Sequence, residues 1–476
     1  MDGMKGEAAH NIDISSSQAV HNKLKSITEN LKNEEFRFSI EEENLRYVVS
    51  VIQNYGSWKW TNSWEEGTGE SICLALDILT ESFRALRNAC AGCPRNQLFL
   101  DSSGAYVPAR SVVSELQNLL QNEELVQKFD LKHRIVLGLR CATQFLGNLI
   151  TGQHEIASHV YELMRDDFVY LFSIDDTQLL NYTSRVIHSC LKAKVPFDDR
   201  IVSCIESVLG HLYHYDLEWG MFFIGELLNS DSGFEEVFPK LSTKSQSSLL
   251  DICLAHLKDS QEDKPRVISM SNLGYMSSVF QTKAHMILGF HNQDGNVSLQ
   301  PINLLCILDI LCTALSFPQL YKELREDGDL VKCCVNLLHG AYMIGQQGDN
   351  AFSSVEKLGA AAHVDPEHPS YGLKRDLIRL IGNMCYGHKL NQDKVRELGG
   401  IQLILNHTNI DKRNPFMPQW AILAIKHLCE NNRENQAIIS GMKLEGVANQ
   451  DTLLEELGVE TEVRDGKVYV KQMKKL

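Results

Sequence analysis

One spacing constrains this chain more than any other. In three places an apolar stripe of helical period carries a polar residue near its end, and an Asn-Gln pair follows eight residues later. Asn88 precedes Asn96-Gln97, Asn383 precedes Asn391-Gln392, and His427 precedes Asn435-Gln436. The stripes are explicit: Leu377, Ile378, Leu380, Ile381, Met384 and Cys385 share one helix face, and Ile422, Ala424, Ile425, Leu428 and Cys429 share another. A fourth stretch, GLRCATQFLGNLITGQHEIASHV with Asn148, has the helix but reads as having a shorter turn, and it lacks the Asn-Gln pair.

From Asn383 to His427 the unit is 44 residues long, inside the range of about 40–47 of HEAT and armadillo repeats. One helical repeat cannot bury its apolar face alone. Neighbours must stack and share a continuous core. The expected fold is therefore all-α, an armadillo-like helical-repeat solenoid. A length of 476 residues exceeds one compact core, a limit that does not bind a stack in which each repeat meets only its neighbours.

Composition then removes function classes. The net charge of −15 argues against broad binding to a phosphate backbone, so no nucleic acid is expected as a partner. Thirteen cysteines sit mostly on helix stripes, as small hydrophobes: Cys73, Cys90, Cys141, Cys190, Cys204, Cys306, Cys312, Cys385 and Cys429. MDGMKGEAAH has no apolar signal stretch, so a reducing, intracellular location is expected. The longest apolar run, LLCILDILCTALSF, contains Asp309 and is too short for a membrane span of about 20 residues. It reads as a buried helix.

In chain order, residues 1–20 read as a disordered tail and 21–339 as N-terminal helical repeats. Trp58, Trp60 and Trp64 fall in a Gly- and Ser-rich segment. They fit either a clamp on the N-terminal helices or an exposed aromatic anchor for a partner. Cys90-Ala-Gly-Cys93 lacks the second ligand pair that zinc needs, and the pair His211 and His214 beside Asp216 is too small for a metal site. No metal and no cofactor are expected. Residues 340–372 read as a long loop, with His363, Asp365, Glu367 and His368 crowded in it. Residues 373–476 form a C-terminal block of two repeats, a last helix at 451–459 and a hairpin around Asp465-Gly466. The hairpin is suited to shield the outer face of the terminal repeat.

The block also carries a family resemblance. LIRLIGNMCY, NQDKVRELGGIQLIL, NPFMPQW and the AILAIKHL helix with its following Asn-Gln resemble the C-terminal signature of the ataxin-10 family. ILTESFRALRNAC and CATQFLGNL are similar to that family's N-terminal body. The resemblance implies an armadillo-like scaffold without enzymatic activity, linked to cytokinesis, neuron survival and neurite outgrowth. It implies the G-protein β subunit and O-linked N-acetylglucosamine transferase as partners, with a homo-oligomer as a further option. It implies a cytoplasmic and perinuclear location, extending to centrosome, cilium basal body and midbody.

ELGGIQLIL also resembles the armadillo motif whose Gly-Gly-Ile opens the second helix. There the third helix carries an inward Asn that bonds a ligand's backbone. Asn383 matches that place, Asn88 and Asn148 fit it, and His427 departs from it. The other role open to these residues is to satisfy the turns of their own repeats. No GxSxG, HExxH, P-loop or dinucleotide GxGxxG is present. The sequence thus leads to a non-catalytic interaction scaffold, with an armadillo-type carrier of extended basic peptides as the alternative.

Overall fold

A computed structural model describes residues 14–56, 68–212, 214–259, 267–292, 299–355, 364–442, 459–464 and 467–472. The chain forms two compact units, residues 1–227 and 228–476. The first carries α1 (Ile14–Asn30), α2 (Glu34–Ser39), α3 (Glu42–Gly56), α4 (Thr68–Cys90), α5 (Pro94–Ser102), α6 (Tyr106–Gln121), α7 (Glu123–Lys128), α8 (Lys132–Ile150), α9 (His154–Leu171), α10 (Thr177–Lys192) and α11 (Asp199–His211), with α12 (Glu218–Asn229) at its end. The second carries α13 (Gly233–Val237), α14 (Thr243–Lys258), α15 (Met270–Lys283), α16 (Leu299–Ala314), α17 (Gly328–Gly345), α18 (Leu373–Cys385), α19 (Lys389–Glu397), α20 (Gly400–Leu405), α21 (Met417–Cys429) and α22 (Arg433–Gly441).

These helices form because their apolar residues recur at helical spacing and find neighbours. In α8, Ile135, Leu139, Ala142, Phe145, Leu146 and Leu149 are fully buried. They pack between α4 on one side and α10 on the other, and Phe145 stacks on Phe83 at 6.3 Å. Each such large aliphatic side chain contributes about 1.5–3 kcal/mol by leaving water. In the second unit α18 packs on α21, and α14 on α16. Gly382 lets α18 and α21 approach closely, because a β-carbon there would sit 3.0 Å from the Ala424 Cβ. The apolar run from Leu304 lies within and just beyond α16 and is buried through Leu304, Ile307, Leu308, Ile310 and Leu311. Its Asp309 pairs with Lys258 at 3.1 Å and Arg379 at 3.6 Å. Among the described residues no helix is long and apolar enough to cross a membrane.

Three boundaries differ from the sequence reading. Helix α1 begins at Ile14, inside the stretch expected as a tail. Helix α17 continues to Gly345, so the expected loop starts later than residue 340. The division between units falls at 227/228 rather than at that loop.

The described parts of the loop are pinned to residues 411–414. Arg413 Nη1 donates to the carbonyls of Asn350 and Ser353, both at 2.7 Å. Asp411 accepts from the Val355 N–H, and Asn414 Oδ1 accepts from the first N–H groups of α18 at Lys374 and Arg375. Buried backbone groups must find partners somewhere, and here loop and turn supply each other's.

Near the C-terminus β1 (Val459–Arg464) and β2 (Lys467–Gln472) pair antiparallel, with Arg464 opposite Lys467. The helix expected at 451–459 falls outside the described residues except for Val459, which opens β1.

Candidate functional site

The repeat is built at one recurring joint. Helices α4, α8, α18 and α21 end at Cys90, Ile150, Cys385 and Cys429. Two residues on, the backbone turns left-handed at Gly92, Gly152, Gly387 and Asn431, with φ of 63°, 79°, 63° and 55°. Glycine enters that region freely, and Asn is among the few other residues that tolerate it. The next residue, Cys93, Gln153, His388 or Asn432, opens the following helix with φ of −122°, −119°, −122° and −124°. All four joints follow one path. The Asn148 repeat therefore has a turn of the same length as the others, and the shorter turn expected there is corrected. Only its residue types differ, with buried Ile156 and Ala157 in the Asn-Gln places.

The Asn-Gln pair staples helices together. Asn96 Nδ2 donates to the Ala89 carbonyl (3.0 Å), Asn391 Nδ2 to that of Met384 (3.0 Å), and Asn435 Nδ2 to that of Leu428 (2.7 Å). Each is a carbonyl in the last turn of the preceding helix, where no intrahelical donor is left. The glutamine reaches the next long helix: Gln97 Nε2 donates to Asn148 O (2.7 Å) and Thr151 O (3.2 Å), and Gln392 Nε2 to His427 O (2.8 Å) and Glu430 O (3.2 Å). Asn96, Gln97, Asn391, Gln392 and Asn435 are buried. Gln436 is exposed and folds back on the Cys429 carbonyl of its own repeat.

The four residues expected to face a ligand are half-buried and spend their donors inside the stack. Asn148 Nδ2 donates to Arg87 O (2.9 Å), and Asn88 Nδ2 to Thr28 O (3.3 Å). Asn383 Nδ2 donates to Cys312 O at 3.5 Å, and His427 Nδ1 bonds Gly382 O at 2.9 Å. The carbonyls lie on an earlier helix, not on a turn of the same repeat, which corrects the reading that these residues satisfy their own repeat's turns. Because a carbonyl can only accept, His427 carries its hydrogen on Nδ1 in this contact. His427 thus fills an asparagine's place with an equivalent donor. The Oδ1 atoms of Asn148 and Asn383 have no partner among the described residues. Trp58, Trp60 and Trp64 lie outside the described residues.

A cleft of about 380 Å³ on the second unit was not anticipated. Arg379 lies over the Trp420 ring at 5.3 Å, and Arg375 binds Asp376 through two contacts of 2.8 Å. Burial raises the Asp376 carboxyl above its usual range, against the opposing pull of Arg375. Phe416, exposed and at φ 64°, stands at the cleft's edge. The run NPFMPQW holds Phe416 and Trp420, but nothing in its spacing showed that Arg379 would meet Trp420.

The cysteine thiols of Cys90, Cys190, Cys204 and Cys385 are pushed well up by burial, the environment of an inert side chain. His211 Nε2 meets the Phe172 carbonyl at 3.3 Å, and His214 is exposed. Among the described residues no group of three His, Cys, Asp or Glu is placed to hold a metal ion. His363 lies outside them.

A short helix, a second helix and a ladder-bearing helix, as in α19, α20 and α21, with the same left-handed joint after four ladder helices, define an armadillo-like helical-repeat protein. The family model described as "Spinocerebellar ataxia type 10 protein domain" matches residues 373–471. Ataxin-10 of Xenopus tropicalis is 31% identical over 410 residues, 83% of this chain and 81% of that protein. Ataxin-10 of Homo sapiens is 30% identical over 413 residues, 84% of this chain and 83% of that protein. The chain belongs to the ataxin-10 family. A shorter match, 39% over 156 residues, joins 30% of this chain to 25% of the ataxin-10 homolog of Dictyostelium discoideum.

Proposed function

We propose that this chain is a non-catalytic scaffold that holds segments of other proteins against its long ladder helices. The observation that carries the reading is similarity to ataxin-10 proteins along more than four fifths of the chain, together with stacked repeats whose buried polar groups serve packing. On this reading the chain acts in cytokinesis and in signalling for neuron survival and neurite outgrowth. Its partners are the G-protein β subunit and O-linked N-acetylglucosamine transferase. It resides in the cytoplasm and around the nucleus, and at the centrosome, cilium basal body and midbody. The open Oδ1 acceptors of Asn148 and Asn383 offer a bound segment's N–H groups a place to donate.

The direct test is titration of the purified full chain with each purified partner. Saturable binding to either one supports the reading. Absence of binding to both, with the chain shown to be folded, removes these partners from it.

A second reading, a carrier of extended basic peptides, is favoured by one observation. A cleft of about 510 Å³ beside α17 and α19 is rimmed by Glu326, Asp329, Asp393 and Glu397, with Lys394 as its cation. Binding of lysine-rich peptides that weakens when Glu326 and Glu397 are changed to Gln would select this reading.

A further inference from the structure

Among the described residues, one arginine of the first unit has neither a carboxylate nor a carbonyl partner. Arg185 is half-buried in α10, and its single polar side-chain contact among the described residues is a 3.4 Å bond from Nη2 to the Thr151 hydroxyl. The other arginines of this unit have stronger acceptors. Arg46, Arg84, Arg110, Arg134, Arg140, Arg165 and Arg200 pair with carboxylates. Arg37 and Arg95 bind backbone carbonyls, and Arg87 binds the Gln144 amide oxygen. A guanidinium has five donors in a planar fork, so most of those on Arg185 are unused. Removing a cation from water without an opposing charge is costly, and burial duly makes the Arg185 guanidinium less basic than usual.

The surroundings are organised. Arg185 lies 5.3 Å from the Trp219 ring, which holds the guanidinium by a cation–π contact and leaves its donor edge open. Asn181 Oδ1 accepts from the Trp219 N–H at 2.9 Å and ties the start of α12 to α10. The nearby carboxylate of Glu226 is engaged by His188 at 3.1 Å. His188 in turn meets Trp219 edge-on at 5.5 Å, and Phe222 lies 5.3 Å from Trp219. Phe222 and Met221 are exposed, at 49% and 45%. Arg185 also touches the helix that carries Asn148, through Thr151.

We propose that this face of α8, α10 and α12 binds an extended acidic protein segment by a carboxylate seated on Arg185, with an apolar side chain next to it covering Met221 and Phe222. The inference rests on the scaffold reading and names the chemistry of one seat within it. A carboxylate takes two donors of the fork at once, which a neutral group does not match. The chain's overall −15 charge repels anions at long range. Recognition here is therefore short-ranged and needs the apolar contact as well as the charge.

The test is selection from a random peptide library on the folded full chain, in wild type and in Arg185→Gln. An array carrying glutamate, glutamine or phosphoserine at the selected acidic position then separates carboxylate from phosphate. The wild type is expected to enrich peptides with an acidic residue beside an aromatic or aliphatic one. Arg185→Gln is expected to lose that preference, with affinity for the selected peptides falling about tenfold or more. Arg185→Lys keeps the charge without the fork and is expected to fall between. Arg185 contributes to the fold one long bond and one cation–π contact, so both variants should melt close to the wild type. Wild-type selection without an acidic bias, or a bias that survives in Arg185→Gln, overturns the carboxylate seat and leaves the scaffold reading standing. Failure of the wild type to select any peptide overturns both.

Discussion

The repeats that flank Asn88 and Asn383 differ instructively from the middle of the chain. At the first, helices are joined by amides that reach across from one repeat to the next, at fixed spacing. From α10 to α17 the joints rely more on local caps, although Asn272 Nδ2 also reaches across to the Leu228 carbonyl at 2.9 Å. Asp176, Asp198, Ser242, Ser269 and Asp327 each cap the helix that follows, accepting its first N–H groups. A cap satisfies one end of one helix. A staple fixes the distance between two helices as well. The stapled joints repeat one path, whereas the middle joints vary in length.

The largest test of this contrast is acid. His407 sits in the stapled block, buried, with Nδ1 on the Leu403 carbonyl and Nε2 without a hydrogen-bond partner among the described residues. Burial lowers it to about 4 from its ordinary 6.5. Between those values the unfolded chain takes up a proton that the folded chain refuses. Stability should fall as pH drops from 6.5 towards 4, by up to about 3 kcal/mol. Denaturant titrations across that range check it, and His407→Gln should flatten the slope.

Next in size is the staple itself. Gln392→Ala strands the carbonyls of Cys385, His427 and Glu430 and should cost about 2–3 kcal/mol by urea unfolding. Gln436→Ala, at the exposed copy, should cost no more than about 0.5 kcal/mol. Equal costs would mean that the pair does not act between repeats. In the middle, Asp198→Ala removes the cap on α11 and the 2.6 Å bond from the Tyr161 hydroxyl, for an expected loss of about 1–2 kcal/mol. The smallest effect separates shape from chemistry at the ladder. His427→Ala should lose about 1 kcal/mol, while His427→Asn should stay within about 0.5 kcal/mol of wild type in melting experiments, if an amide donor is what the position needs.

Where the fold was legible, it was legible for this reason. Asn96, Gln97, Asn391 and Gln392 are polar residues in buried places, and burial forces them into a fixed geometry that appears as a spacing of eight. The left-handed turn was written as Gly92, Gly152 and Gly387, and only Asn431 disguised its fourth copy. The helices of the middle were visible as stripes, but their joints were not, because a serine or aspartate cap looks like any loop residue. The site was harder still. Asn88, Asn148, Asn383 and His427 were found as a set, yet which carbonyl each would reach depends on the packing of separate repeats. Arg185 was invisible as a candidate. Its distinction is the lack of a carboxylate or carbonyl partner among the described residues, which only the fold reveals.

The bonds from Asn148 to Arg87 and from His427 to Gly382 have a practical side. The residues most inviting as binding probes are also rivets of the core. An alanine scan along this row will loosen the molecule and weaken its contacts together, and a lost partner will say little unless melting is followed in the same sample. Changes that spare the amide nitrogen and alter only the oxygen, such as replacing Asn148 or Asn383 by a residue that still donates, would keep the two effects apart.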